Sequence, residues 1–182
     1  MEHFYQNIQG WAQPHEQGEL FNTIVDNPSG KLKIAEIGVY QGRGTALICV
    51  DLINKGVDFE YHAIDHFEGS PEHVKGVDYE TITRNNLIPL KDLINIHKND
   101  SISQSSLYED EYFDIVYIDG AHDYDSVKND IQSWLPKVKP GGFICGDDYC
   151  TCWPGVYEAV NKMFGEDNIN AIGNQQQWWI KK

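Results

Sequence analysis

The sequence predicts an α/β fold, a largely parallel sheet with helices wound on both faces. Three observations lead to it. Short β-branched, apolar runs alternate with segments whose apolar residues recur at helical spacing. A glycine-rich turn, Gly38-Val39-Tyr40-Gln41-Gly42, joins the first such run to the helical segment after it. Two later runs end in acids, as Ile118-Asp119-Gly120-Ala121-His122 and as Gly146-Asp147-Asp148. In an open parallel sheet such strand ends face the ligand crevice, so three carboxylates and one imidazole would converge there.

The elements follow in order. Residues 9–27 read as a helical lead-in, with Trp11 exposed near its start. Leu32-Lys33-Ile34-Ala35-Glu36-Ile37 is the first strand, and residues 44–55 form a helix because Ala46, Leu47, Val50 and Ile53 share a face. Residues 59–64 make a second strand ending at Asp65. The polar stretch 68–90 holds a helix over 79–87, and a short third strand covers 93–97. Tyr112-Phe113-Asp114-Ile115-Val116-Tyr117-Ile118 is the fourth strand and the clearest. The helix over 124–135 presents Val127, Ile131, Trp134 and Leu135 as one apolar stripe, and Pro136 with the Pro140-Gly141-Gly142 turn ends it. Residues 143–146 make the fifth strand and 156–164 a helix. An antiparallel hairpin of 169–172 and 177–180, about a Gly173-Asn174 turn, closes one edge.

At 182 residues, 41% of them hydrophobic, the chain suits one domain with a single substantial core. No apolar stretch reaches the length of a membrane span. The first residues lack the basic and apolar segments of a signal peptide, so a cytoplasmic protein is expected. The formal net charge of −14 disfavours nucleic acid and anionic lipid and favours cations. The four cysteines, Cys49, Cys145, Cys150 and Cys152, read as free thiols rather than a disulfide framework. Zinc on the three late cysteines is disfavoured, for want of a second Cys-x-x-Cys or a nearby His pair.

Glycines in the 38–42 turn permit a tight bend and let a ligand approach the backbone. The helix that follows offers free N–H groups at its start. The glycine spacing is not the G-x-G-x-x-G of dinucleotide binders, and no Gly-Lys-Ser/Thr follows as in a P-loop. Glu36 ends a central strand, where an acid is costly unless a cation or hydrogen-bond donor uses it.

An ordered set of motifs resembles the class I S-adenosylmethionine-dependent methyltransferases. The set comprises Glu36-Ile37-Gly38-x-x-x-Gly42, Asp65, Asn99-Asp100-Ser101, Asp114-Ile115-Val116-Tyr117-Ile118-Asp119 and Pro140-Gly141-Gly142. The resemblance runs from about Lys31 to the C-terminus. It implies a Rossmann-like, doubly wound, seven-stranded sheet of order 3-2-1-4-5-7-6 with the last strand antiparallel. The whole would be a single domain, with 1–30 as lead-in and 31–182 as core. It also implies S-adenosylmethionine as cofactor. Glu36 and the turn carrying Gly38, Tyr40, Gly42 and Thr45 would flank its amino-acid end. Asp65 would bind the ribose hydroxyls, Asp100 and Ser101 would lie beside the adenine, and Asp119 would border both cofactor and acceptor. A carboxylate suits a diol; the plainer use of Asp65 is to cap the loop that follows.

The acids narrow the resemblance to metal-dependent O-methyltransferases, the branch of catechol and macrolide-sugar enzymes. In the sugar type an Asp-x-x-His follows the fourth strand and an acidic pair the fifth, matched here by Asp119-Gly120-Ala121-His122 and Asp147-Asp148. The resemblance thus implies Asp119, Asp147 and Asp148 as ligands of Mg²⁺ or a similar divalent cation. It implies His122 as general base, with Asp119 in the catalytic set. A hard cation takes oxygen ligands and acidifies a bound hydroxyl, whose proton a near-neutral imidazole can take. The plainer uses are that Asp147 or Asp148 caps the following segment and that His122 donates to a loop carbonyl.

Asp123 and Asp125 serve the dipole of the helix they open, and Tyr124 packs beside the site. Tyr149, Trp153 and Trp11 could cup an acceptor, while Trp178 and Trp179 alternate faces, so at most one reaches a pocket. His66, His73 and the acids of 68–80 lie in a loop able to cover the cofactor. The reading is a methyltransferase acting on a hydroxylated small molecule or sugar, without nucleic-acid or membrane partners. The short chain leaves the acceptor pocket open or completed by another subunit of a homo-oligomer. The competing reading is a non-catalytic nucleotide- or cofactor-binding module of a larger complex, which needs neither His122 nor a metal. A nicotinamide-dependent dehydrogenase is disfavoured by the glycine spacing.

Overall fold

The computed structural model describes residues 1–26, 28, 30–70, 73–172 and 176–182. The strands are β1 Leu32–Ile37, β2 Phe59–Asp65, β3 Ile94–Lys98, β4 Phe113–Ile118, β5 Val138–Gly146, β6 Asn170–Ile172 and β7 Gln177–Lys181. They form one seven-stranded sheet of order β3-β2-β1-β4-β5-β7-β6, as expected. Neighbours from β3 to β5 are parallel, and β7 is antiparallel to both β5 and β6. The helices are α1 Glu19–Ile24, α2 Arg43–Asn54, α3 Tyr79–Asn86, α4 Ser101–Ser105, α5 Tyr124–Trp134 and α6 Pro154–Phe164. Strand order reverses between β1 and β4, which opens a crevice beyond their carboxyl ends.

The fourth strand shows why both faces are covered. Ile115 and Tyr117 enter one apolar layer with Leu20, Phe21, Leu47 and Ile48, while Val116 and Ile118 enter the other with Val127, Ile131 and Trp134. Successive strand residues alternate faces, so a run apolar at every position must be buried on both sides.

Departures from the sequence reading have local causes. The lead-in is less helical than expected, with a 3-10 turn at Tyr5–Asn7, a π turn at Pro14–Gly18 and then α1. Pro14 lacks the N–H that a longer helix would use, so the helical part starts there and Trp11 stays outside it. The fifth strand starts at Val138, which pairs with Phe113, and the next pair is Phe143 with Ile115. The Pro140-Gly141-Gly142 turn therefore lies inside the strand as a bulge, with Gly141 at φ 81. No apolar period announces α4; it starts because Asp100 accepts from the Ser103 N–H at 2.9 Å.

The Gly173-Asn174 turn lies outside the described residues. No helix among the described residues is long and apolar enough to cross a membrane. The expectation of four free thiols is corrected: Cys150 and Cys152 form a disulfide, while Cys49 and Cys145 are free and buried. The cause is a tight loop after β5, in which the Cys150 N–H donates to Asp148 O and the Trp153 N–H to Cys150 O.

Candidate active site

A cavity of about 740 Å³ lies over the carboxyl ends of the central strands, bordered by Trp11 and Gln17 of the lead-in. Its lining includes Glu36, Gly38, Tyr40, Asp65, Asp100, Ser101, Asp119, His122, Asp147 and Asp148. The crevice thus brings together most of the residues expected from the sequence. Gly42 and Thr45 stand behind them, at the start of α2.

Gly38 sits at φ 89, and a Cβ there would lie 2.0 Å from the Asp119 carbonyl oxygen. Only glycine allows β1 and β4 to release their chains so close together. The Asp119 N–H donates to Ile37 O at 2.8 Å, which locks that crossing. Asp65 Oδ2 accepts from the Val39 and Tyr40 N–H groups at 2.8 and 2.9 Å, and Oδ1 accepts from the Phe67 N–H at 2.7 Å. The carboxylate expected at a ribose therefore also braces the glycine turn. It holds Tyr40 at φ 52, a conformation that costs a non-glycine residue roughly 1–2 kcal/mol.

Glu36 is buried beneath the turn. The Thr45 hydroxyl donates to its Oε2 at 2.5 Å and the Tyr61 hydroxyl at 3.1 Å. Burial pushes its carboxyl up to about 7, against the pull of those two donors. Asp100 caps α4, and Ser101 Oγ accepts from Trp134 Nε1 at 2.8 Å. Asp130 of α5, which no motif announced, also lines the cavity and is only 7% exposed. Burial pushes it up to about 6, with the Ser101 hydroxyl opposing. The available signal was an acid interrupting the apolar face of Val127, Ile131 and Trp134.

At the other end stand the remaining acids. Asp147 Oδ2 accepts from Gln17 Nε2 at 2.6 Å, and Oδ1 accepts from Gln177 Nε2 and from the Asp148 N–H. Both amides are oriented by their own donors: Gln17 Oε1 accepts from the Gln13 N–H at 2.9 Å and Gln177 Oε1 from the Tyr117 hydroxyl at 3.3 Å. Burial, and then the charge of Asp148, push Asp147 up to about 7. Asp119 is pushed well above the usual carboxylate range by burial, then by the charges of Asp147, Asp148 and Glu36.

A divalent cation needs oxygens with open lone pairs about one point. Here the Asp147 oxygens face two amides and a backbone N–H, and Asp148 Oδ2 lies 2.8 Å from His122 Nε2. Among the described residues no three His, Cys, Asp or Glu side chains form a group able to hold a metal ion. As disposed, Asp119, Asp147 and Asp148 do not fit the cation centre that the sequence suggested. Asp147 instead ties the lead-in and β7 to the end of β5.

His122 is held from several sides. Asp123 caps α5 by accepting from the Ser126 N–H at 3.0 Å. A Cβ on Gly155 would lie 2.3 Å from the His122 carbonyl oxygen, so the start of α6 packs directly on it. The Trp153 ring stacks on the imidazole with centroids 4.0 Å apart. Asp148 sits at φ 61, a strained backbone of the kind that clusters at functional sites.

At the far mouth, Trp11 is 67% exposed, and the Tyr40 ring lies 5.3 Å from it and 4.3 Å from His73. Of the other aromatics weighed for the acceptor, Tyr149 is buried, with its hydroxyl donating to Asn161 Oδ1. Trp178 and Trp179 pack into opposite apolar layers. Arg43 fastens the lead-in by donating from Nε to Ala12 O at 2.9 Å and from Nη1 to Ile8 O at 3.0 Å.

Residues 35–149 match the profile of a methyltransferase domain. An uncharacterized protein of Acanthamoeba polyphaga mimivirus is 44% identical over 55 residues, which are 29% of this chain and 25% of that protein. Among solved structures, the TDP-rhamnose 3'-O-methyltransferase of calicheamicin biosynthesis superposes with a TM-score of 0.65 at 16% identity, covering 91% of this chain and 76% of that one. An S-adenosylmethionine-dependent O-methyltransferase from Thermotoga maritima gives 0.62 at 15% identity, over 85% of this chain and 51% of that one. An O-methyltransferase from Bacillus cereus, in complex with S-adenosylhomocysteine, gives 0.56 at 17% identity, over 82% and 74%. At such identities the structural likeness is one of fold.

Proposed function

Because the chain belongs to the methyltransferase domain family and takes S-adenosylmethionine as its methyl donor, we propose that it methylates an oxygen of a hydroxylated small molecule or sugar, with His122 as base. The observation that carries this reading is the His122–Asp148 pair, 2.8 Å apart, on the wall of the same cavity as the glycine turn. When bound, S-adenosylmethionine supplies a methyl group carried on a positively charged sulfur. Glu36 and the Gly38–Gly42 backbone would hold its amino-acid end. Asp65 keeps acceptor capacity on Oδ1 for the ribose hydroxyls, and Asp100 and Ser101 border the place of the base. The acids of the floor suit a cationic ligand.

At the acceptor end, His122 takes the hydroxyl proton as the oxygen attacks, a contribution worth roughly 10²–10⁴-fold. Asp148 stabilises the imidazolium that results, as a carboxylate does behind a histidine base. Trp153 fixes the imidazole plane by stacking and offers a flat apolar surface nearby. That one neighbour in fold is a TDP-rhamnose 3'-O-methyltransferase supports a sugar hydroxyl as acceptor. To ligate Mg²⁺, Asp147 would first have to give up its amide donors. Transfer should therefore survive chelation of divalent ions.

The test pairs two measurements. S-Adenosylhomocysteine titrated calorimetrically should bind, and a labelled methyl donor should mark at least one member of a panel of phenols, catechols and nucleotide sugars. His122→Ala should lower that transfer by about 10²-fold or more while leaving S-adenosylhomocysteine affinity nearly unchanged. Absence of binding, or a variant as fast as the parent, would overturn the reading.

A further inference from the structure

We propose that Cys150 and Cys152 are a redox-active pair that exchanges with external dithiols, and that its state sets how Trp153 packs on His122. The pair lies in the loop between β5 and α6, which also carries Asp148 and Trp153. Two side chains of this loop bear on His122. Asp148 Oδ2 lies 2.8 Å from its Nε2, and the Trp153 ring stacks on its imidazole at 4.0 Å. The first half of the loop is pinned to the body of the protein: the Tyr149 N–H donates to Gln176 O and its hydroxyl to Asn161 Oδ1, both at 2.8 Å. Beyond Tyr149 the ties are local. As far as Cys152 they are the disulfide, the bond from Cys150 N–H to Asp148 O at 2.8 Å and that from Trp153 N–H to Cys150 O at 3.0 Å. The chain is fastened again at Trp153, the N-cap of α6, whose C=O accepts from the Tyr157 N–H at 3.1 Å. Opening the disulfide therefore loosens the 150–152 segment that sets the approach of Trp153, between an anchor at Tyr149 and one at the start of α6.

Two features mark the bond as reactive rather than as a staple of the fold. Its cysteines are separated by only 2 in sequence, and so short a loop constrains the unfolded chain least. Cys152 is exposed and Cys150 half-buried, within reach of an attacking thiolate. Cys49 and Cys145 are the contrast. Both are fully buried, with thiols that burial pushes up, which makes them inert and gives an internal control.

The exchange balances with a dithiol as reductant. One of its thiolates attacks a sulfur of the pair, forms a mixed disulfide and expels the other cysteine as thiolate. The second thiolate then closes the reductant's own disulfide and expels the remaining cysteine. Two electrons and two protons pass to Cys150 and Cys152, which end as thiols, and the dithiol ends oxidised.

The experiment equilibrates the full chain in a series of reduced-to-oxidised dithiothreitol ratios. Free thiols are then labelled under native conditions, with mass spectrometry to place each label. The histidine ring signals are followed by NMR in the same series. Cys150 and Cys152 should pass together and reversibly from unlabelled to labelled, with Cys49 and Cys145 unlabelled throughout. The His122 signals should move between two positions with the same midpoint. A Cys150→Ser/Cys152→Ser double variant should hold them at the reduced position at every ratio. A pair that stays wholly bonded or wholly thiol across the series overturns the proposal, as does exchange that leaves His122 unmoved. Neither readout needs methyl transfer, so the outcome is separable from the proposed function, which stands or falls on S-adenosylhomocysteine binding and acceptor labelling.

Discussion

A methyl group at position 38 would meet the Asp119 carbonyl oxygen at 2.0 Å, and that oxygen belongs to backbone that cannot swing away. Gly38→Ala should therefore cost on the order of 3 kcal/mol or more, seen as a lower urea midpoint together with loss of S-adenosylhomocysteine binding. Gln17→Leu is a milder case. It removes one donor from the buried Asp147 carboxyl, and leaving such a group short of a partner costs about 1–3 kcal/mol. Unchanged unfolding of this variant would sink the view of Asp147 as a tie. The two residues differed in how visible they were in the sequence. Gly38 stands in a motif because its constraint comes from the chain's own turn. Gln17 reaches Asp147 across 130 residues, and a glutamine in a polar segment carries no mark of such a partner. Asp130 was hidden for a related reason, since its meaning depends on Ser101 and the cavity being opposite it.

Whole elements were legible where one physical rule decided them. The fourth strand is apolar at every position from Ile115 to Ile118, between Asp114 and Asp119, and a strand buried on both faces meets that description. Helix α5 was legible because Val127, Ile131 and Trp134 recur at its period. Residues 9–27 read as one helical lead-in, yet Pro14 sets where the helical part begins. Its actual role, as a wall of the cavity, depends on tertiary ties that periodicity does not encode. Arg43 supplies these by donating to Ala12 O and Ile8 O, and its guanidinium lies 5.1 Å from the Tyr5 ring. Arg43→Ala should loosen this element without unfolding the sheet. Faster amide exchange over residues 5–13 is expected, with S-adenosylhomocysteine affinity lowered about tenfold, the scale of a lost charge-assisted hydrogen bond. Weakened binding with unaltered exchange would mean that Arg43 acts on the ligand and not through the lead-in.

Across the molecule, the acids of the cavity make stability depend on pH in an unusual direction. Burial pushes Glu36 and Asp147 up to about 7 and Asp130 up to about 6, and Asp119 well above its ordinary range. In the unfolded chain all four would titrate near 4. Between the two ranges the folded state binds more protons, so their contribution is fully present below the unfolded values and is lost as pH rises through about 6 to 7. Exposed acids such as Asp100 and Asp123 have lowered values from their capping hydrogen bonds, and their smaller contribution is lost only at more acid pH. Stability should thus peak near about pH 4 and fall toward about pH 8. The net charge of −14 adds self-repulsion in the same direction, but salt screens that part and leaves the buried groups untouched. Thermal unfolding at low and high ionic strength separates the two. A decline that persists in salt belongs to the buried acids, and Glu36→Gln should reduce it by roughly 1.4 kcal/mol for each unit by which the pKa of Glu36 is raised. A midpoint that climbs from about pH 5 to pH 8 would mean that these carboxyls are held ionised by donors or cations, and that the cavity floor carries its charges instead of protons.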